Sequence, residues 1–149
     1  MARRYAETGQ AACSAEAKIL DLISATTIRP AIYDIIFGTN GTAADNALLW
    51  VVERIESAPT NGSAVTPAPL DFDDPAALVT TTEGATTGAT VTSGTELLEI
   101  AANQRATQRW VASPGGALKC PDSATAGIEA NVRHASYTGN CQVTFHHEE

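Results

Sequence analysis

From Ala126 to Ser136 apolar and polar side chains alternate: Ile128, Ala130 and Val132 fall on one face of an extended chain, Glu129, Asn131 and Arg133 on the other. The same two-residue period recurs elsewhere. Residues 17–24 place Ile19, Asp21 and Ile23 opposite Leu20 and Leu22. Residues 28–38 place Tyr33, Ile35 and Phe37 opposite Ile32 and Ile36, with Pro30 marking a strand beginning or an edge. Residues 142–148 set Val143 and Phe145 against Thr144 and His146. Residues 96–104 and 106–113 are further short segments of this kind, followed by the turn signal Pro114-Gly115-Gly116. Residues 47–57 fit two patterns. Leu48, Val51, Val52 and Ile55 have helical spacing behind a potential Asp45 cap, yet β-branched content and strand-like neighbours favour a strand. About six to nine strands with frequent turns, and no strand–helix alternation, predict one all-β domain, a β-sandwich or jelly roll.

One long stretch breaks this rhythm. Residues 58–95 are rich in Pro, Thr and Gly, and loops beyond about 12–15 residues are usually functional or disordered. The first half carries Pro67, Pro69 and Pro75, which favour extended backbone with little entropy left to lose on binding. Leu70 and Phe72 are apolar side chains in this otherwise polar arm. The second half, "TTTEGATTGATVTSG", reads as a flexible tether or an exposed hairpin. Residues 1–10 read as a terminal arm whose Arg3 and Arg4 either grip an acidic neighbour or fray into solvent. These features nominate Arg3, Arg4, Pro67, Pro69, Leu70 and Phe72 as interface residues. Trp110 joins them, with a place in the core as its alternative.

Charge narrows the partners. Nine basic and 17 acidic residues give a net charge of −8, and the chain between Arg54 and Arg105 holds seven acids and no Lys or Arg. That balance repels phosphate backbones, so nucleic acid is not an expected partner. No apolar run reaches the roughly 18 residues of a membrane span, and "MARRYAETGQ" lacks the hydrophobic stretch of a secretory signal. The expectation is a soluble protein made in the cytoplasm, with no membrane partner.

The 149 residues suffice for a core without metals or disulfides. Trp50, Trp110, Tyr33 and Phe37 are its candidate anchors, or those of an interface. Cys13, Cys120 and Cys141 are odd in number and lack CxxC spacing, against a disulfide framework or zinc site. Cys120 and Cys141 are the two that late strands could bring face to face, but the reducing compartment argues against a bridge between them. Asn40-Gly41 and Asn61-Gly62 mark turns.

The chain contains no GxSxG elbow, P-loop or HExxH motif. Cys13 has no base nominated to activate it. His146 and His147 fall on opposite faces of one strand, so a metal would need one of them beside His134. "DFDD" (71–74) supplies carboxylates without the glycine and distal glutamate of a calcium loop, and reads as an acidic turn. The expectation is a non-enzyme without cofactor or metal.

Four segments together resemble a family of small virion proteins encoded by tailed bacteriophages: "RRYAE", "NGSAVTPAPLDFDDPAA", "NQRATQRWVASPGGALKCP" and the terminal "VTFHHEE". The likeness covers most of the chain and is weakest from Cys13 to Ala25. It rests on order and spacing rather than on a chemical motif. The resemblance implies a β-sandwich capsid protein of the cement or decoration type. Such a protein sits outside the shell of the major capsid protein and clamps adjacent capsomers, with a homotrimer favoured over a dimer. The competing reading is a receptor- or carbohydrate-binding module of a tail or base plate, which the low aromatic content (5%) disfavours.

Overall fold

The structure, a computed structural model, describes residues 2–14, 16–91, 95–133 and 136–149. Among these residues every regular element is a strand. They are β1 (Arg4–Ala12), β2 (Glu16–Ile23), β3 (Ala31–Asn40), β4 (Ala47–Ile55), β5 (Ser63–Val65), β6 (Ala68–Pro69), β7 (Thr80–Glu83), β8 (Glu96–Asn103), β9 (Gln108–Val111), β10 (Leu118–Lys119), β11 (Gly127–Arg133) and β12 (Asn140–Glu148).

They form two antiparallel sheets. One runs β10-β3-β12-β1-β6, with β9 also on β3; the other runs β5-β7-β2-β11-β4-β8. The expected all-β sandwich is what the chain adopts. Its core is made of the inward side chains of both sheets, among them Ile32, Ile35, Phe37, Val143 and Phe145 from the first and Leu20, Leu22, Trp50, Val52, Ile128 and Val132 from the second. Phe37 meets Trp50 across the two sheets with ring centroids 5.4 Å apart. Residues 47–57 are a strand over Ala47–Ile55: here the sheet period, not the helical one, puts Leu48, Trp50 and Val52 into the core. Pro30 sits just before β3, but β3 is no edge, because β12 lies on one side of it and β9 and β10 on the other.

Several expectations need correcting. The first ten residues are not a free arm, since Arg4–Ala12 is β1, paired along its whole length with β12. Nor is 58–95 a single projecting loop. Ser63–Val65 and Thr80–Glu83 extend the second sheet beyond β2, while Ala68–Pro69 pairs with Tyr5 and Ala6 of β1 at the edge of the first. The stretch thus crosses from one sheet to the other and back. Gly9 marks how close the layers come there, because a Cβ on it would lie 2.7 Å from the Ile19 carbonyl oxygen of β2. In β2 a bulge opposite Ala130/Asn131 shifts the alternation, so Ile19 joins Leu20 and Leu22 in the core. Asn61 takes the left-handed conformation at its Asn-Gly turn (φ 61°), and Gly115 does so in the Pro-Gly-Gly turn (φ 79°).

The alternation of β11 is real, but both of its faces are buried. Asp21, Glu129 and Glu53 lie side by side across β2, β11 and β4, alternating with core residues and therefore facing away from the core. Lys18 pairs with Glu129, Asn131 with Glu53, and Arg133 reaches Glu53 at 3.1 Å. The Thr/Gly-rich segment runs past this face: Thr87 bridges Thr60, and the Glu56 amide donates to the Thr90 carbonyl at 2.9 Å. Ala85, Thr86 and Gly88 line a 370 Å³ cleft with Lys18, Glu53, Asn131 and Arg133. What looks like a tether in the sequence is, up to Thr90, a covering strap.

Candidate interaction surface

The surface grows from the paired ends of the chain. The Arg3 and Glu149 backbones exchange two hydrogen bonds at 3.2 and 2.9 Å, continuing the β1–β12 ladder. The Leu70 amide donates to the Arg4 carbonyl at 2.8 Å, which fixes where the 70–78 loop departs. Inside the loop the Asp73 amide donates to Asp71 Oδ1 at 3.1 Å and the Asp74 amide to the Asp71 carbonyl at 3.1 Å. "DFDD" is therefore an Asp-capped turn that turns Phe72 outward. The loop returns where Tyr5 Oη donates to the Pro75 carbonyl at 3.1 Å. The Leu78 and Val79 amides then donate to the Glu149 carboxylate at 2.9–3.1 Å.

Under this base lies a buried polar group. Tyr5, Glu7 and His147 share the core-facing side of β1 and β12. Tyr5 stacks on the His147 ring with centroids 5.4 Å apart. His147 Nδ1 is 3.0 and 3.1 Å from the two Glu7 oxygens, a contact that requires one proton shared between them. Burial pushes the Glu7 carboxyl above its ordinary range, while the bond to His147 pulls the other way. His147 Nε2 faces Glu149 Oε1 at 3.6 Å and has no hydrogen-bond partner among the described residues. Neither histidine acts alone: on the outer side of β12, His146 stacks on Tyr33 and lies 3.5 Å from Asp34. Asp34 receives a two-pronged bond from Arg109 (2.9 and 2.6 Å), which lowers its pKa. His134 lies outside the described residues.

Above the base the loop exposes three large apolar side chains: Phe72 (97%), Leu78 (55%) and Leu70 (54%). Beside them Ala2, Arg3, Arg4, Leu70, Asp71 and Asp74 line an open groove of 740 Å³. Arg3 Nε stands 3.8 Å from Asp74, an exposed ion pair of little energetic weight that still sets both signs of charge at the rim. Arg4 lies over the Tyr33 ring at 5.3 Å.

Of the residues nominated from sequence, Arg3, Arg4, Leu70 and Phe72 gather here, with the half-buried Pro69 in the β6–β1 pairing beneath them. Pro67 is buried, so it supports the surface rather than forming it. Trp110 is far off. It sits on β9 opposite Ile35 and packs against the core, with β3, β12 and β1 between it and β6, about 19 Å at the usual strand spacing. Leu78 was missed because it belongs to the uniform-looking "PAALV", and only the Glu149 contact shows that it marks the loop's second anchor.

All three cysteines are free, and Cys13 rather than Cys120 is the neighbour of Cys141. Cys141 faces Cys13, with sulfurs 2.7 Å apart, while Cys120 is buried separately, its amide on the Pro30 carbonyl. Compared with protein-family models, curated proteins and solved structures, the chain matches none.

Proposed function

We propose that this chain is a structural protein of a tailed-phage virion, a cement or decoration protein that binds the outside of the major capsid protein shell and bridges capsomers. The observation that carries the reading is Phe72: an almost wholly exposed phenylalanine, flanked by Leu70 and Leu78, on a loop anchored at both ends in a sandwich. A folded chain gains nothing from such a side chain alone, whereas a partner pocket desolvates it. Because the loop is already held in shape, binding orders little new backbone. The resemblance to small phage virion proteins supplies the partner. Repetition of the contact around a closed shell, with the chain as a homo-oligomer and a trimer favoured, would add many weak contacts into a stable clamp. Binding only the assembled shell would stabilise that state by mass action.

Phe72→Ser is the sharpest test, since deleting 66–75 would also remove the β6–β1 pairing. The variant should unfold within about 0.5 kcal/mol of wild type, as exposed substitutions do. Its affinity for purified shells should fall about thirty-fold, the effect of a central apolar anchor. Unchanged shell binding with unchanged stability would overturn the reading. Quantified virions should hold on the order of hundreds of copies, whereas about three to twelve would move the protein to the tail or base plate as a receptor- or carbohydrate-binding module.

A further inference from the structure

We propose that Cys13 and Cys141 form a redox pair that closes into a disulfide, fastening the end of β1 to the start of β12. Their sulfurs are 2.7 Å apart, inside the roughly 3.5–4.0 Å of ordinary non-bonded heavy-atom contact, and no atom lies between them. The backbone holds both residues in place. Ala11 is the ladder partner of Cys141, so Cys13 lies two residues further along the neighbouring strand. The Cys13 amide donates to the Gly139 carbonyl at 3.0 Å, and the Cys13 carbonyl accepts from the Tyr137 amide at 2.8 Å. Cys141 is also paired to Thr39 of β3. Gln104 closes the same end of the sandwich, donating to the Thr138 carbonyl at 2.7 Å, with its amide nitrogen 3.8 Å from the Cys13 sulfur. Both thiols are buried, so the pair is sheltered from bulky partners and from other chains.

The chemistry needs a thiol–disulfide oxidant, for which oxidised glutathione serves. One cysteine, as thiolate, attacks it and releases one glutathione thiol, leaving a mixed disulfide. The second cysteine displaces the other glutathione from that sulfur. Two protein thiols lose two electrons and two protons, and one glutathione disulfide becomes two thiols. Burial holds the Cys141 thiol well above its ordinary range, and the Cys13 contact adds to this, so the Cys141 sulfur seldom ionises in the closed fold. Because the closed fold buries both sulfurs, oxidation is fast during folding and slow afterwards. The inference is independent of the virion reading, which concerns the opposite, β6-bearing flank of β1.

The test uses the full chain and its Cys120→Ser variant. Each is refolded in a glutathione redox buffer, and in parallel the native protein is treated at raised pH with the diazene oxidant diamide. Free thiols are then alkylated, and the digest is read by mass spectrometry. The expected result is a crosslinked Cys13–Cys141 peptide pair in both proteins, with Cys120 alkylated in the wild type. The oxidised Cys120→Ser variant should melt about 10 °C above its reduced form, because the bridge closes nearly the whole chain into one loop. That difference should vanish in Cys141→Ala/Cys120→Ser. If both treatments leave Cys13 and Cys141 alkylated, or if Cys120 or a second chain supplies the bridge, the proposal is wrong.

Discussion

Replacing His147 with alanine is expected to lower the unfolding free energy by about 3–5 kcal/mol at neutral pH. His147 is fully buried between the Tyr5 ring and the Glu7 carboxylate, so its removal leaves both a cavity and a buried acid without its proton-sharing partner. Glu7 already sits above the ordinary carboxylate range because of burial, and the histidine is what opposes that shift. Without it the carboxyl must take up a proton to stay inside. The deficit should therefore shrink as the pH is lowered, where a protonated Glu7 needs no counterpart. Glu7→Gln alone should be milder, about 1 kcal/mol, since a neutral amide can still bond the ring. The double variant His147→Ala/Glu7→Gln should be less damaged than the sum of the two, which urea unfolding of all four proteins measures. Strict additivity would mean that the two side chains are not coupled. The same cluster abuts Glu149, so hydrogen exchange of the Leu78 and Val79 amides should quicken in His147→Ala.

Strands whose inward positions are apolar were legible in the sequence, including β3, β4, β11 and β12. β1 was not, for a physical reason. Its inward positions include Glu7, which is tolerated only because His147, 140 residues away, meets it, and Gly9, which is required because β2 passes so close. Neither residue signals burial by its own chemistry. Missing β1 hid its consequences: Cys13 could not be placed beside Cys141, and Cys120 was the one cysteine that the late strands suggested as a neighbour. Residues 58–95 misled in the same way. Thr80–Glu83 has strand propensity but no apolar alternation, because its role is to pair with β2 and β5, and Thr82 serves as a partner for Asp21. The apolar tip was legible, since Leu70 and Phe72 stand out in a polar run. Its anchoring was not, because each anchor joins a backbone group of the loop to a residue far away in the chain.

The polar face of β11 leads to the second expectation, that Asp21→Asn stabilises the protein by about 2–3 kcal/mol above pH 7 and hardly at all near pH 4. Burial raises the Asp21 pKa from 3.8 to about 6, with the Thr82 hydroxyl bond opposing the shift and the Glu129 charge on β11 adding to it. A raised folded-state value means that Asp21 contributes stability fully present below about 3.8 and lost as the pH climbs through about 6. The strands around it explain why the charge is unwelcome. Glu129 and Glu53 continue the acidic row on β11 and β4, and the cations on hand are taken, Lys18 by Glu129 and Arg133 by Glu53. Asp21 Oδ1 and Glu129 Oε2 are both buried without a hydrogen-bond partner among the described residues. An amide at position 21 keeps an oxygen for Thr82, adds donors beside Glu129 and never ionises. Glu7, raised by burial, and Asp34, lowered by Arg109, titrate in both proteins and cancel in the comparison, whereas Glu129 is coupled to Asp21 and its titration belongs to the measured difference. Unfolding free energies of wild type and Asp21→Asn, measured from pH 4 to pH 8, should diverge through the window from about 4 to about 6 and run parallel above it. A constant difference across that range would mean that Asp21 is ionised in the fold as freely as in water, and that the row of acids holds its charge.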